Sequence, residues 1–433
     1  MAASGVFGFA ESDSEDEIPS GWEERTTLDG KVYYVNHADQ LTQWTHPRSG
    51  KKKILTGDLP PEWQQDVTID GKLIFRRTTE SGETLETYTD PRLAFATEDR
   101  DQRYGPPRQR FDASTRALQV LHGVDLSNKT VVITGANSGI GFETARALAL
   151  HGAHVVMFCR SIASGEQSRN RIRQEKSSVR IDVIECDLAS LRSVANAVKR
   201  YRLQQWPLHI LILNAGVFAQ PFSLTEDNIE ATFQINYLSQ FYLFQLFRTL
   251  LLAASAPARV VFVSSESHRF AGSLNPFGSL TYETMTHQLL SPSHASNYWY
   301  MSAYNLSKLC QIIIAVELDR QLSSSKCDNE RRVTVSAVHP GNLVATSLTR
   351  NSWAHWALFN AIRCFTKTTQ QAAATTVYAA AAPELTGIGG KYYNNCWFTA
   401  ADRCIDDGRM WRRLWDISID MIERAIGETW DSL

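Results

Sequence analysis

Thr130-Val131-Val132-Ile133-Thr134-Gly135-Ala136-Asn137-Ser138-Gly139-Ile140-Gly141 is an apolar, β-prone run that breaks into three spaced glycines and continues as the amphipathic segment Phe142 to Leu150. A strand, a tight turn and a helix in that order make a dinucleotide cradle. Gly135 permits the turn, Gly139 lets the backbone approach a pyrophosphate, and Gly141 allows the helix to pack closely; Ala136, Asn137, Ser138 and Ile140 complete the loop. The helix start contributes free N–H groups and the positive end of its dipole.

Downstream, further apolar runs recur with longer helical segments between them: Val155 to Phe158, Ile181 to Ile184, Ile210 to Leu213, Val260 to Val263 and Val333 to Val338. Strands apolar along their whole length belong to a parallel sheet covered on both faces. The expected fold is therefore α/β, a doubly wound parallel-sheet Rossmann domain over residues 124–415, with 416–433 as a C-terminal tail.

Upstream, the composition changes three times. Residues 1–19 are acidic and Ser-rich (Glu11, Asp13, Glu15, Asp16, Glu17) and read as a solvated tail. Residues 20–49 and 61–93 form an internal repeat of small all-β units, Trp22 to Pro47 and Trp63 to Pro91, each with a central Asp-Gly turn. Residues 50–60, with Lys51 to Lys53, form a basic connector whose alternative reading is a nuclear import signal, and 94–123, with Pro106 and Pro107, form a second linker.

Composition excludes several classes. With 433 residues, 43% hydrophobic and 21% charged, the chain has ample material for buried cores and is not bulk-disordered. The formal net charge of -2 leaves no global footprint for nucleic acid. The 7 cysteines are an odd set without a C-x-x-C pair, so neither a zinc site nor a disulfide framework is expected, and no metal is assigned. No apolar run approaches the ~20 residues that span a bilayer, and the N-terminus is neither a secretory signal nor a transit peptide. The expected address is cytoplasmic.

The spacing Thr134-Gly135-x-x-x-Gly139-x-Gly141 resembles that of the short-chain dehydrogenase/reductase family, with further matches in order. The second strand ends Cys159-Arg160, where NAD enzymes place an acid for the ribose hydroxyl. With the acid absent and a guanidinium following, NADP(H) is favoured over NAD(H), Arg160 meeting the 2'-phosphate. Asp187 resembles the family's adenine contact, Asn214 the residue that binds the central sheet and lines the ribose, and Pro340 the start of the turn contacting the nicotinamide amide. There the chain departs from the family: Ala345 stands where many relatives have Thr, and Thr346 comes one later.

Tyr304 and Lys308 are four apart at the start of a helical stretch, hence on one face. An unperturbed Tyr titrates near ~10, and a neighbouring ammonium, together with the positive nicotinamide ring, would favour its phenolate. Tyr304 is the expected general acid/base, and Lys308 its tuner and a holder of the nicotinamide ribose. By family position Ser265 binds the substrate oxygen, with Ser264 as competitor, and Asn236 holds a water for proton relay to Lys308. The long stretch between Ser265 and Tyr304 and the bulky segment Trp353 to Phe365 point to a small lipophilic substrate, an alcohol or carbonyl of steroid or retinoid type; the alternative for these segments is a dimer surface or core helix. Many relatives pair through their long helices, which makes a homodimer possible.

The first repeat is similar to WW domains. Trp22, Tyr34 and Pro47 close the core, leaving Tyr33 and Trp44 for the opposite face. The resemblance implies a slot of Tyr33 and Trp44, with Val35, His37 and Gln40 beside it, that receives Pro-Pro-x-Tyr partners. The second repeat replaces the slot residues by Ile74 and Tyr88 and the His by Thr78, so it is expected to fold, with Trp63, Phe75 and Pro91 as its core, yet bind weakly. Tandem WW units before a short-chain dehydrogenase imply an adaptor-enzyme of the cytoplasm that also reaches nucleus and mitochondria and acts in growth control and apoptosis. The alternative is a signalling scaffold whose dehydrogenase domain binds cofactor but turns over little; the intact Asn236, Ser265, Tyr304 and Lys308 set favours retained chemistry.

Overall fold

The computed structural model divides the chain into two units, Met1–Phe111 and Asp112–Leu433. It describes residues 22–27, 31–36, 40–47, 53–54, 59, 63–68, 73–78, 84–88, 90–92, 97–98, 111–271, 298–323, 333–341 and 367–429.

In the first unit, β1 (Trp22–Thr26), β2 (Val32–Asn36) and β3 (Leu41–Gln43) form an antiparallel sheet in that order. Alternation along β2 buries Val32, Tyr34 and Asn36 and leaves Tyr33 and Val35 half-buried on the other face. Tyr34 donates from its hydroxyl to Glu24 at 3.2 Å, and the His46 ring stands edge-on to it at 5.2 Å. On the outer face the Tyr33 and Trp44 rings lie 5.7 Å apart, with Trp44 51% exposed. Val35 lies on the same face, Gln40 is exposed at the turn, and His37 falls outside the described residues.

Two short strands, β4 (Lys53–Ile54) and β8 (Thr97–Glu98), pair with each other, so both expected linkers contain ladder residues. Between them β5 (Trp63–Val67), β6 (Leu73–Thr78) and β7 (Thr84–Thr87) build the second antiparallel sheet. Phe75, Trp63 and Pro91 are buried, as is Ile74, so the position expected to face a ligand is not exposed. The outer face instead carries Arg76, which bridges Asp66 at 2.5 Å and Glu86 at 2.7 Å. Charge replaces the aromatic slot of the first sheet.

The second unit alternates strands and helices: α1 (Ala117–Val120), β9 (Thr130–Thr134), α2 (Gly139–Leu150), β10 (His154–Cys159), α3 (Ile162–Glu175), β11 (Arg180–Glu185), α4 (Leu191–Leu203), β12 (Ile210–Leu213) and α5 (Ala231–Phe233). A π turn, Gln234–Leu238, leads into α6 (Ser239–Leu252), followed by β13 (Ala258–Val263), α7 (Tyr300–Ser323), β14 (Val333–His339), α8 (Thr369–Ala381), β15 (Tyr392–Asn394), β16 (Trp397–Phe398) and α9 (Gly408–Ile426). The sheet order is β11-β10-β9-β12-β13-β14-β15-β16, parallel except at β16. Every expected apolar run is a strand. Order reverses between β9 and β12, and the crevice at such a switch point is where this architecture binds ligands.

Two boundaries differ from expectation. Residues 112–123 belong to the second unit, where Ala117, Val120 and Leu121 are buried and α1 packs on α8. Residues 416–426 are not a tail: α9 buries Met410, Leu414, Ile417, Ser418 and Ile422, a helical stripe whose charged outer face disguises it in the sequence. Tyr237 and Ser418 hydroxyls pair at 2.9 Å inside this contact. Among the described residues no helix is long and apolar enough to cross a membrane, and no cluster of His, Cys, Asp and Glu is arranged to hold a metal.

Ile422 is fully buried, so Ile422→Ala leaves a cavity expected to cost about 2 to 5 kcal/mol. Urea denaturation followed by circular dichroism measures it; an unchanged midpoint would detach α9 from the core.

Candidate active site

The glycine turn at the end of β9 is fixed from three sides. Gly135 has φ +65° and donates its N–H to the Phe158 carbonyl at 2.8 Å. A Cβ on Gly141 would press on the Gly135 carbonyl and come within 2.5 Å of Asn214 Nδ2. Asn214 itself donates from its backbone N–H to Thr134 Oγ1 at 2.9 Å and from Nδ2 to the Thr134 carbonyl at 2.9 Å. That is the expected bond to the central sheet. The Ser138 side chain makes no capping bond, so the start of α2 keeps its first-turn N–H groups for a phosphate. This cradle, closed to side chains and open at a helix N-terminus, fits a dinucleotide.

Toward the adenosine side, burial pushes the Cys159 thiol up to about 12, opposed by the backbone of Ala136 and Asn137. Its sulfur lies against Gly165 of α3, and Arg160 beside it is exposed. Asn137 donates to Ser164 Oγ at 3.1 Å and accepts from Ser168 Oγ at 2.9 Å, which ties the loop to α3. Asp187 spends one carboxylate oxygen on the Ala189 N–H at 3.0 Å, shaping the turn into α4.

At the end of β13 the two serines part company. Ser264 is buried and donates to the Lys308 carbonyl at 2.7 Å, whereas Ser265 is half-buried and stands beside the Tyr304 phenol, whose pKa it lowers. Ser265 Oγ also accepts the Ser267 N–H at 3.2 Å, and its carbonyl pairs with His268 Nδ1 at 2.8 Å, so its position is fixed by the short turn Glu266–Phe270. Phe218 stands edge-on to Tyr304 with ring centroids 4.9 Å apart.

Lys308 is one turn further along α7, with Nζ donating to the Val263 carbonyl at 2.9 Å and to Gln311 Oε1 at 3.2 Å. Nζ lies 5.6 Å from the Tyr304 ring centroid. Burial lowers Lys308 to about 7 and raises Tyr304 to about 12, the latter opposed by Ser265. Desolvation disfavours the charged form of both groups, and the amine is aimed at a carbonyl rather than at the phenol oxygen.

Asn236 lies in the π turn. Its side chain holds the strand-end loop, accepting the Val217 N–H at 2.7 Å and donating to the Val217 carbonyl at 3.1 Å and to Ser307 Oγ at 3.0 Å. Its main-chain carbonyl accepts the amides of Gln311 at 2.6 Å and Gln240 at 2.8 Å. Gln311 and Gln240 were not anticipated, although a Gln amid Leu309, Cys310, Ile312 and Ile313 is the kind of polar interruption that marks one. Pro340 precedes Gly341, whose φ of +106° sets it beside Lys367. Ala345, Thr346 and the segment Trp353 to Phe365 lie outside the described residues.

A glycine cradle at a switch point, with Ser265, Tyr304 and Lys308 gathered at the neighbouring strand end, defines a dehydrogenase of the short-chain type, a fold that binds a nicotinamide cofactor. The short chain dehydrogenase family matches residues 129–276 and the WW domain family residues 18–47. The WW domain-containing oxidoreductase of Pongo abelii is 48% identical over 427 residues, 99% of each chain. Retinol dehydrogenase 12 of Mus musculus is 35% identical over 302 residues, 69% of this chain and 88% of that one. The crystal structure of an uncharacterized protein of Mycobacterium paratuberculosis is similar with a TM-score of 0.52 and 26% identity, covering 72% of this chain and 97% of that one. The chain belongs to the WW domain-containing oxidoreductases, a WW unit joined to a short-chain oxidoreductase domain.

The depressed pKa of Lys308 has a stability signature. Between about 7 and about 10 the unfolded lysine holds a proton that the folded one has released, so stability rises with pH across that window. Lys308→Met removes this dependence, and its melting temperature relative to wild type should be highest near pH 7 and fall toward pH 10. A pH-independent difference would contradict the assignment.

Proposed function

We propose that the protein is an NADP(H)-dependent oxidoreductase of lipophilic alcohols or carbonyls, of retinoid or steroid type, recruited to Pro-Pro-x-Tyr partners by its first WW unit. The observation that carries the proposal is the Tyr304 phenol beside Ser265, with buried Lys308 one helical turn away, at the strand end beside the glycine cradle.

The cofactor, when bound, gives or takes the hydride. Gly135, Ala136, Asn137, Ser138, Gly139, Ile140 and Gly141 would hold its phosphates, Asn214 and Lys308 its nicotinamide ribose, Asp187 its adenine and Pro340 its amide. Arg160 supports the phosphorylated cofactor, being exposed beside a Cys159 that offers no carboxylate to a free ribose hydroxyl. Ser265 donates to the substrate oxygen as charge develops on it, and Tyr304 passes the proton. A phenol whose pKa burial holds near 12 is protonated at neutral pH, which suits it to donate to a carbonyl oxygen.

An aromatic wall supports a lipophilic substrate. Phe218 contacts both Tyr304 and Tyr300, and Phe222 contacts Tyr298, so rings line the approach from the loop after β12. The similarity to a retinol dehydrogenase points to the same class. On the WW side, the slot of Tyr33 and exposed Trp44, flanked by Val35 and Gln40, supports capture of a polyproline II peptide. The proposal extends, through its architecture, to growth control and apoptosis from a cytoplasmic base with nuclear and mitochondrial excursions.

The test is hydride transfer over a retinoid and steroid panel, after fluorescence titration with NADPH and NADH. NADPH should bind more tightly, and Tyr304→Phe should lower kcat by at least about 100-fold while cofactor affinity stays. Equal rates in the two proteins would reject the catalytic assignment and leave the scaffold reading. In parallel, Trp44→Ala should cost about 2 kcal/mol or more in binding a Pro-Pro-x-Tyr peptide by calorimetry. Wild-type peptide affinity in that variant would remove the slot.

A further inference from the structure

A π turn interrupts the i to i+4 ladder, and in the turn Gln234–Leu238 the Asn236 carbonyl accepts two side-chain amides. One of them reaches the catalytic amine. Gln311, three residues after Lys308 on α7 and so on the same face, accepts from Lys308 Nζ at 3.2 Å and donates to the Asn236 carbonyl at 2.6 Å. We propose that Gln311 is the positioning residue of Lys308: its amide ties the amine to the Asn236 carbonyl.

The inference rests on the dehydrogenase reading above and deepens it. An amide has one acceptor and one donor end, and the surroundings allow a single orientation. Reversed, the Gln311 NH2 would confront the amine and its oxygen the Asn236 carbonyl. With the donor end fixed on that carbonyl, the acceptor end favours Lys308 as a charged donor, against the burial that lowers its pKa.

The anchor is itself fixed. Gln240 donates to the same carbonyl and to the Ala215 carbonyl at 2.8 Å, and its Oε1 accepts from Thr134 Oγ1 at 3.3 Å. Buried hydrogen bonds therefore run from the glycine turn to the amine through Thr134, Gln240, Asn236 and Gln311. Facing Lys308, α7 presents the titratable phenol of Tyr304, β13 the Val263 carbonyl, and the loop after β12 presents Gly216. Among the described residues no charged group shifts the amine; burial alone does. Gln311 is then the group through which its protonation can be adjusted.

The test uses the full chain with lysine labelled by carbon-13 at Cε, the Lys308 resonance being assigned by its loss in Lys308→Met. Gln311→Leu should lower the Lys308 titration midpoint by about one unit, and Gln311→Glu should raise it by about as much. A residue that only fills space would not give shifts of opposite sign, so midpoints that stay put, or move together, overturn the proposal. If Gln311→Leu fails to fold, the isosteric Gln311→Glu decides alone. In NADPH-driven reduction of all-trans-retinal, Gln311→Leu should lose about tenfold in kcat with KM within about twofold, and its alkaline limb should move to lower pH. Wild-type kcat and an unmoved limb in that variant would overturn the proposal. If wild type itself reduces no retinal, the substrate reading fails, and the resonance titration still decides the role of Gln311.

Discussion

The second unit depends on one junction. Thr134, the last residue of β9, accepts the Asn214 and Ala215 N–H groups on its hydroxyl and the Asn214 side-chain amide on its carbonyl. These bonds tie the ends of β9 and β12 together where the sheet order reverses. Left alone, strand ends at a reversal separate as their helices leave on opposite faces. With the tie in place, the glycine turn and the loop carrying Gly216 to Phe218 have a common origin. The absence of a Cβ at Gly141 belongs to the same constraint, since a side chain there would collide with Asn214. Cofactor cradle and substrate approach are thereby two edges of one hydrogen-bonded corner.

From that corner, order passes to the catalytic groups through buried polar atoms. Gln240 bridges Thr134 to the Asn236 carbonyl, Ser264 grips the Lys308 carbonyl, and the Val263 carbonyl receives the Lys308 amine. A buried polar network is stabilising only when its members are satisfied, because each unmet group bears its full desolvation cost in a low dielectric. The π turn fits this logic by presenting a carbonyl to side chains within a buried stretch of helix. Tyr304 and Lys308 meet the opposite condition: burial drives both toward neutrality, the phenol beside Ser265 and the amine donating to the Val263 carbonyl and Gln311 Oε1. Reactivity here is a balance between desolvation and a few directed bonds.

The two small β units show how one scaffold separates folding from binding. Both place an aromatic at the centre of the second strand's inner face, Tyr34 in one and Phe75 in the other, and both are three-stranded antiparallel sheets. The outer faces diverge. Tyr33 and Trp44 leave apolar rings partly exposed, whereas Asp66, Arg76 and Glu86 satisfy one another across the second sheet. An ion-pair ladder gives a solvated face no need of a partner. Asp90, near the end of the second repeat, accepts from Thr26 of the first and from Arg92, so the second repeat also supplies a buried bond to the first.

Strand positions, the cradle and the Tyr304–Lys308 spacing could be read directly from the chain, because buried parallel strands are apolar throughout and helical spacing puts two residues on one face whatever surrounds them. The small units were equally plain, since a sheet with so little interior must name its aromatics. Hidden from such reading were features that depend on what lies opposite a residue. The stripe of α9 looks like a polar tail until α7 and α4 are seen beneath it. Ser264 and Ser265 are neighbours in the chain, and only the direction of the β13 pleat turns one to the helix and the other to the phenol. The direction of the Lys308 and Tyr304 shifts and the roles of Gln311 and Gln240 came from packing too, because desolvation and hydrogen-bond partnership are set by segments far apart in the chain and close in space.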